Sequence, residues 1–232
     1  MNVGTVLLAT VVGYLLGSIS FARLGVSHFA PDGDLAELTV QVTGTEEENK
    51  LGIFGANSAS MILGPRLGCL VGLLDMLKVA FPVLVFRLGY ADPTCSIVTA
   101  IAGLVGHNWP VYYGFRGGRG FSAILGSFFV LDWLGALVTL ATGLVLGTVV
   151  FASTAVADLA WLVLMIPWMW LRHENVAFLI FAVLANLLFL IAMIPDIKTI
   201  LKYRREGKLD AYMEGLQASS ARSRGMKRMT DF

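Results

Sequence analysis

The apolar positions of the chain run in long, nearly unbroken stretches separated by short polar punctuation. Each stretch approaches or exceeds the ~20 residues a helix needs to cross ~30 Å of hydrocarbon. Seven spans are predicted, at about 3–22, 66–88, 95–113, 119–132, 134–151, 154–171 and 175–194. The first has neither a basic leader nor a small-residue cleavage site, so it reads as a retained spanning helix and not a removable signal. A thin hinge, "LDWLG", divides the fourth span from the fifth at Asp132-Trp133, and a five-span division with one long tilted helix competes with it there. No repeat of fixed period interrupts the pattern. The fold class is all-α: a polytopic membrane protein of about seven transmembrane helices, with residues 1–232 forming a single integral-membrane domain.

Composition agrees, with 56% hydrophobic and 14% charged residues where a soluble domain carries roughly 25% charged. An odd span count puts the termini on opposite sides. Nine of the 17 Lys and Arg follow Pro195, which makes residues 196–232 a basic cytoplasmic tail and leaves the N-terminus outside. Arg23, Lys50 and Arg116 then fall on the cytoplasmic side, with Arg87 and Arg172 at the outer ends. The tail beyond Lys208, with "SSARSRGMKRM", either binds lipid headgroups or stays disordered. Residues 23–65 form the one long polar stretch between spans; six acids (Asp32, Asp34, Glu37, Glu46, Glu47, Glu48) and the turn formers Pro31, Gly33 and Gly44 predict a solvated cytoplasmic loop. Cys69 and Cys95 lie in or beside apolar segments and read as small buried hydrophobes, not a disulfide. No Cys/His metal set, serine-hydrolase elbow or Walker A loop occurs, so metal, serine and nucleotide hydrolysis are unsupported. The net charge of +1 says nothing by itself about partners; membrane lipids, and no nucleic acid, are the expected ones.

A few polar groups stand out against this background. "GFRGGRGFS" sets Arg116 and Arg119 three apart across Gly117 and Gly118, with Gly120 beyond, at the mouth between two spans. Glycines let backbone N–H groups approach a ligand, and guanidiniums offer paired donors matched to phosphate oxygens. The loop is therefore an anion site or a lipid-headgroup anchor. Gly52, Gly55, Ala56, Asn57 and Ser58 precede a span and form either an anion-binding nest or an ordinary turn. Asp75 and Lys78, at i and i+3 within the second span, either pin helix packing as an internal pair or face a polar site. His107 ends the third span beside Asn108 and either binds a ligand or hydrogen-bonds neighbouring backbone. Asp158 is a further carboxylate at membrane depth with no sequence partner.

Four stretches, in order along nearly the whole chain, resemble the acyl-phosphate-dependent glycerol-3-phosphate acyltransferases of bacterial inner membranes. "GYLLGSISFARL" resembles the family's G-S-I-P-F-G stretch. "GANSASMILGPRLGCLVGLLDMLKVAFPV" resembles G-A-T-N, an L-G pair and L-L-D-x-L-K-G-x-x-P-V. "GLVGHNWPVYYGFRGGRGFSAILG" resembles G-H-x-F-P-V-x-x-x-F-K-G-G-K-G-x-A-T-x-x-G, with arginine in both lysine places, and "IPDIKTILKYRREGK" sits where the family has a basic H-R-x-N-I segment. The resemblance implies active-site loops meeting on the cytoplasmic face of a multi-pass inner-membrane enzyme. It also implies transfer of a fatty acyl group from acyl phosphate to the 1-hydroxyl of glycerol 3-phosphate, the first step of phospholipid synthesis, with no cofactor, metal or acyl-enzyme. Such a site works by placing hydroxyl and carbonyl together and stabilising charge on the leaving phosphate. By motif position, Gly55, Ala56, Asn57 and Ser58 would hold the acyl-phosphate headgroup. Arg119 and Arg116, with Gly117, Gly118 and Gly120, would bind phosphate on the glycerol 3-phosphate side. Ser153 and Thr154, matching a Ser-Ser pair, would line the same pocket. His107 and Lys78 complete the substrate-binding set, Asn57, Ser58 and Arg119 are the expected catalytic residues, and the chain acts as a monomer among membrane lipids.

The chain departs from the family pattern in three places. Lys50-Leu51-Gly52-Ile53-Phe54 stands where the family reads G-S-G-N-x, the upstream D-I-R is missing, and Ile194 and Asp196 replace the His and Asn of the last segment. An aspartate beside a substrate phosphate would repel it. A divergent paralogue with altered or lost catalysis, binding a lipid or phosphorylated ligand, is therefore a second reading. A transporter using Asp75, Lys78 and Asp158 is a third.

Overall fold

The computed structural model describes residues 2–219, with all side chains but those of Thr154 and Ala155. Of the tail beyond Lys208, expected to bind lipid or stay disordered, residues 209–219 are helical and the rest lies outside the described residues. The chain is mostly helical: α1 (Val3–Gly17), α2 (Phe21–Phe29), α3 (Ala56–Leu63), α4 (Pro65–Gly89), α5 (Thr94–Asn108), α6 (Phe121–Leu131), α7 (Trp133–Val145), α8 (Thr154–Arg172), α9 (Val176–Arg205) and α10 (Leu209–Ser219). Among the described residues, four stretches are long and apolar enough to cross a membrane: Val3–Phe29, Pro65–Gly89, Trp133–Val150 and Val176–Arg205. The remaining predicted spans are helical as well, but α5 has 15 residues and α6 only 11, short of a full crossing at 1.5 Å per residue.

Helix α4 shows how the bundle is organised. Leu73, Leu77, Phe81, Leu84 and Leu88 form an exposed stripe, while Val71, Asp75, Lys78, Val79, Val83 and Phe86 face inward. An outward leucine face is unfavourable in water and suits hydrocarbon. The core gathers Val79, Leu104, Ile124, Phe128, Trp161, Met165 and Phe181 from α4, α5, α6, α8 and α9. Helices α1 and α5 cross at their closest on glycine: a Cβ on Gly17 would lie 2.2 Å from the Gly103 carbonyl oxygen, so only Gly permits the approach.

Breaks in the helices follow local chemistry. Ser18 and Ser20 interrupt the first predicted span, Ser18 donating its hydroxyl to the Tyr14 carbonyl at 2.8 Å and Ser20 accepting from Arg23 N to cap α2. Helices α6 and α7 divide at Asp132, whose Oδ1 caps α7 by accepting from Gly135 N at 3.0 Å. Its Oδ2 takes Trp168 Nε1 at 2.9 Å, Arg172 Nε at 2.9 Å and His173 Nε2 at 3.1 Å. One carboxylate thus ties α6, α7 and α8 together at that end of the bundle.

Two expectations need correction. The stretch 23–65 is not merely a solvated loop. It contains α2, α3 and an antiparallel hairpin of β1 (Thr39–Gln41) and β2 (Glu48–Lys50), with Val40 opposite Asn49. Leu35, Val40, Val42 and Phe54 are buried; Val40 and Val42 alternate with Thr39 and Gln41 as a half-buried strand requires. Nor does the last span end near residue 194, because α9 runs on through Pro195 to Arg205 and α10 folds back onto the hairpin. Thr43 N donates to Ala211 O at 3.2 Å, and Val42 packs with Tyr203 and Tyr212, whose rings stack at 4.6 Å. Glu47 fastens the assembly, accepting from Lys208 Nζ at 2.8 Å, Lys202 Nζ at 3.3 Å and the Tyr203 hydroxyl at 3.1 Å.

Candidate active site

The end of the bundle away from Asp132 collects the break at Ser18–Ser20, the start of α3, the loop between α5 and α6, and the part of α9 beyond Pro195. Pro110 stops α5, and a short 3₁₀ turn (Val111–Tyr113) leads into "GFRGGRG". Gly114 and Phe115 take left-handed conformations (φ 59° and 60°), and Gly120 another at 88°, so the loop doubles back under α5. Gly118 N donates to His107 O at 3.1 Å. A Cβ on Gly117 would sit 2.2 Å from His107 O, and one on Gly118 would sit 2.3 Å from His107 Nε2. These buried glycines therefore serve first to let the loop lie against His107. The loop preceding α3 is stitched to the same place: Phe54 N donates to Gly117 O at 3.3 Å, and Gly55 faces Gly118.

His107 itself is buried. Its Nδ1, which has no hydrogen-bond partner, lies 4.0 Å from Asp75 Oδ1. Lys78 Nζ donates to Asp75 Oδ1 at 2.8 Å and to the Ile19 carbonyl. The internal-pair reading of Asp75 and Lys78 is the one the geometry carries: the ammonium is spent on the partner carboxylate and on the chain break at Ser18–Ser20, and the pair lies under the arginine loop.

Arg119 and Arg116 differ sharply. Arg119 donates from Nε to Asp196 Oδ2 at 2.6 Å and from Nη2 to Asp196 Oδ1 at 2.8 Å, a two-pronged pair with side chains 16% and 21% exposed. Asp196, which sequence considerations cast as repelling phosphate, instead engages the arginine. Arg116 is exposed and makes no ion pair among the described residues. Its carbonyl accepts from Arg23 Nη2 at 3.2 Å. Arg23 is a site candidate that motif reading missed; the available signal was a basic residue just after "GSISF", turned toward the mouth by the break before α2. Arg23, Ala36, Phe54, Tyr113, Gly114 and Arg116 line an open, shallow pocket of about 380 Å³.

The remaining expected residues are distributed around this mouth. Asn57 is exposed in the first turn of α3 and Ser58 is buried beside it, while Ala56 contacts α4 at Gly72. Ser153 caps α8, accepting from Val156 N at 3.4 Å, and its own N–H bonds Gly147 O at 2.7 Å. These bonds are local to the α7–α8 connection and do not join Ser153 to the arginine loop. Thr154 follows as the first residue of α8.

A mostly helical bundle with an outward leucine surface is the architecture of an integral membrane protein, and this one gathers arginines at the mouth of one end. The chain belongs to the glycerol-3-phosphate acyltransferase family, whose sequence pattern matches residues 7–203. The glycerol-3-phosphate acyltransferase of Thermotoga petrophila is 35% identical over 136 residues, 59% of this chain and 63% of that one. That of Mycoplasma capricolum is 31% identical over 171 residues, 70% of this chain and 61% of its own. The chain thus spans somewhat under two thirds of the length of these curated relatives. Among solved structures, PlsY (YgiH), an integral membrane glycerol 3-phosphate acyltransferase in its glycerol 3-phosphate form, matches with a TM-score of 0.72 at 26% identity, covering 87% of this chain and 94% of that one. Its lysophosphatidic acid form matches at 0.70 and 25%.

Proposed function

We propose that the protein transfers a fatty acyl group from acyl phosphate to the 1-hydroxyl of glycerol 3-phosphate, giving 1-acylglycerol 3-phosphate and phosphate. The observation that carries this reading is the meeting of the 52–58 loop, the arginine loop and Asp196 at one mouth, in a chain of this family. In the reaction the hydroxyl oxygen forms the new ester bond to the acyl carbon. The bond from that carbon to the phosphate oxygen breaks, and the hydroxyl proton leaves with the phosphate. Because the acyl group arrives activated, alignment and charge stabilisation are the protein's tasks.

In this reading Gly55, Ala56, Asn57 and Ser58 hold the acyl-phosphate headgroup. Arg116 and Arg119 meet phosphate charge, Arg119 through the N–H donors that Asp196 leaves unused, and Gly117, Gly118 and Gly120 shape the loop that carries both. His107 and Lys78 support that loop from beneath, and the start of α8 at Ser153 and Thr154 belongs to the same end of the bundle, where the family's Ser-Ser pair would meet substrate. The chain traverses the inner membrane about seven times, the short α5 and α6 passing within the bundle with part of the hydrocarbon thickness covered by their flanking loops, N-terminus outside and C-terminus in the cytoplasm, with the mouth on the cytoplasmic face. Supplied with acyl phosphate and glycerol 3-phosphate, the purified full chain is expected to release phosphate together with lysophosphatidic acid. Release no greater than that of an Arg119→Ala variant would overturn the reading.

A further inference from the structure

We propose that α10 is a strut: it clamps the hairpin against the end of α9 and thereby fixes the wall of the mouth at Ala36 and Phe54, so that Tyr212 and Gly215, remote from the chemistry, tune how tightly substrate is held. This role rests on the acyltransferase reading above and lies beyond the family pattern, which ends at residue 203, whereas α10 begins at Leu209.

The strut is fastened at both ends. Lys208 N donates to the Tyr203 carbonyl at 2.9 Å, which turns the chain back at the end of α9. Tyr212 stacks on Tyr203, and the two rings are buried with Val42 of the hairpin. Ala211 O accepts from Thr43 N at 3.2 Å. One turn further on, a Cβ on Gly215 would lie 2.0 Å from the Gln41 carbonyl oxygen, so only glycine lets helix and strand meet this closely. Glu47, just before β2, holds Lys202, Tyr203 and Lys208 at once. Neither partner would stand alone: two strands of three residues are unstable without something to pack on, and an isolated helix of 11 residues is marginal in water.

The open ends of the hairpin lead into the mouth. Beyond the paired strands Leu51 N still donates to Leu38 O at 3.0 Å. The ladder thus runs on towards Ala36 on one side and Phe54 on the other, and both line the pocket. Phe54 N donates to Gly117 O at 3.3 Å. Its ring centre lies 3.7 Å from the guanidinium carbon of Arg23, which is 5.0 Å from the centre of Tyr113, distances at which a cation and a ring attract. A displacement of the hairpin therefore reaches the backbone of the arginine loop and Arg23 through bonded and packed neighbours. Leu51, Ile53 and Phe54 also occupy the stretch where the chain departs from the family's polar pattern. A wall without polar side chains meets a ligand through backbone groups, whose aim depends on what holds the strands.

Amide exchange and steady-state kinetics of the full chain in neutral-lipid nanodiscs test the strut, with Tyr212→Ala, Tyr212→Phe and Gly215→Ala. In Tyr212→Ala and Gly215→Ala, exchange at Leu51 and Phe54 is expected to quicken, while Gly135 N, at the Asp132 end of the bundle, stays as protected as in the parent. The KM for at least one of the two substrates is expected to rise about threefold or more, the scale of one lost aromatic pair, with kcat nearly unchanged. Tyr212→Phe keeps the stacked ring and should match the parent. If Tyr212→Ala does not fold, Gly215→Ala carries the test, since it leaves both tyrosines in place. A merely structural role lowers the amount of folded enzyme and leaves KM where it was. That result, or exchange that quickens equally at Gly135, overturns the proposal, and so does faster exchange at Phe54 with unchanged KM in an active enzyme. Exchange needs no turnover, so the two levels separate. Strut-dependent exchange at Leu51 and Phe54 in a chain that transfers no acyl group keeps the strut and overturns the acyltransferase reading; transfer with neither exchange nor KM responding does the reverse.

Discussion

Asp196 grips Arg119 across 77 positions of sequence with bonds of 2.6 and 2.8 Å, and the pair joins the arginine loop to the part of α9 beyond Pro195. Because both side chains are largely shielded, removing one partner leaves the other a poorly solvated charge. Arg119→Ala is expected to destabilise the protein by about 1–3 kcal/mol. The Arg119→Ala, Asp196→Ala double variant should recover part of that loss in a thermal unfolding series. A double variant less stable than the single one would show that the pair is not the main partner of either residue. For catalysis, Arg119→Ala should lose far more rate than Arg116→Lys; equal losses would mean that the two arginines act only as diffuse charge.

Gly118→Ala forces a methyl group to within 2.3 Å of His107 Nε2. Overpacking of this kind costs about 1–3 kcal/mol, so a clear fall in thermal stability is expected together with a disturbed loop. Gly55→Ala is the contrast, since its Cβ would meet nothing closer than 4.0 Å. Equal stability losses for the two would contradict the close packing on His107.

Lys78→Met strands Asp75, whose side chain is 2% exposed. Breaking a buried pair costs about 3–5 kcal/mol, whereas replacing both partners is far milder. The Asp75→Asn, Lys78→Met variant should therefore express and unfold closer to the parent chain than Lys78→Met alone. Solubilised yield and unfolding temperature report the difference.

Glu47 titrates at about 2, held down by its bond to Lys208, with Lys202 and Tyr203 adding to it. A carboxylate with a depressed folded value contributes stability that is fully present above its ordinary value near 4.5. That contribution is lost as pH falls through about 2. Amide exchange at Val42 is expected to quicken as pH drops across that window, after correction for intrinsic rates. Glu47→Gln should remove the dependence; an unchanged pH profile in that variant would rule out the tether.

Apolar run length made most helices legible in the sequence, and Asp132 marked one stop; the break at Ser18–Ser20 inside the first predicted span went unread because serine is no strong helix breaker. The arginine loop was equally legible, since no other stretch places two guanidiniums among glycines. The hairpin at 39–50 was hidden because three-residue strands carry little periodic signal and acidic residues surround them. Pro195 looked like a terminator, yet a helix tolerates a missing N–H where neighbouring groups compensate, and α9 continues past it. Long-range pairings were out of reach in principle. Nothing local announces that Asp196 will meet Arg119 or that Arg23 will settle between Phe54 and Tyr113, because both depend on how separate helices bring their ends together.

The hairpin has a consequence for the order of events during synthesis. Two strands of three residues are not stable alone, and the buried face of this pair rests on Tyr203 and Tyr212. Residues 39–50 leave the ribosome long before those tyrosines exist, so the strands must stay unpaired while most of the bundle is inserted. They can close only when α10 arrives, and loop closure over so long a span is entropically slow. The hairpin and its α10 support are thus the last part of the fold to form.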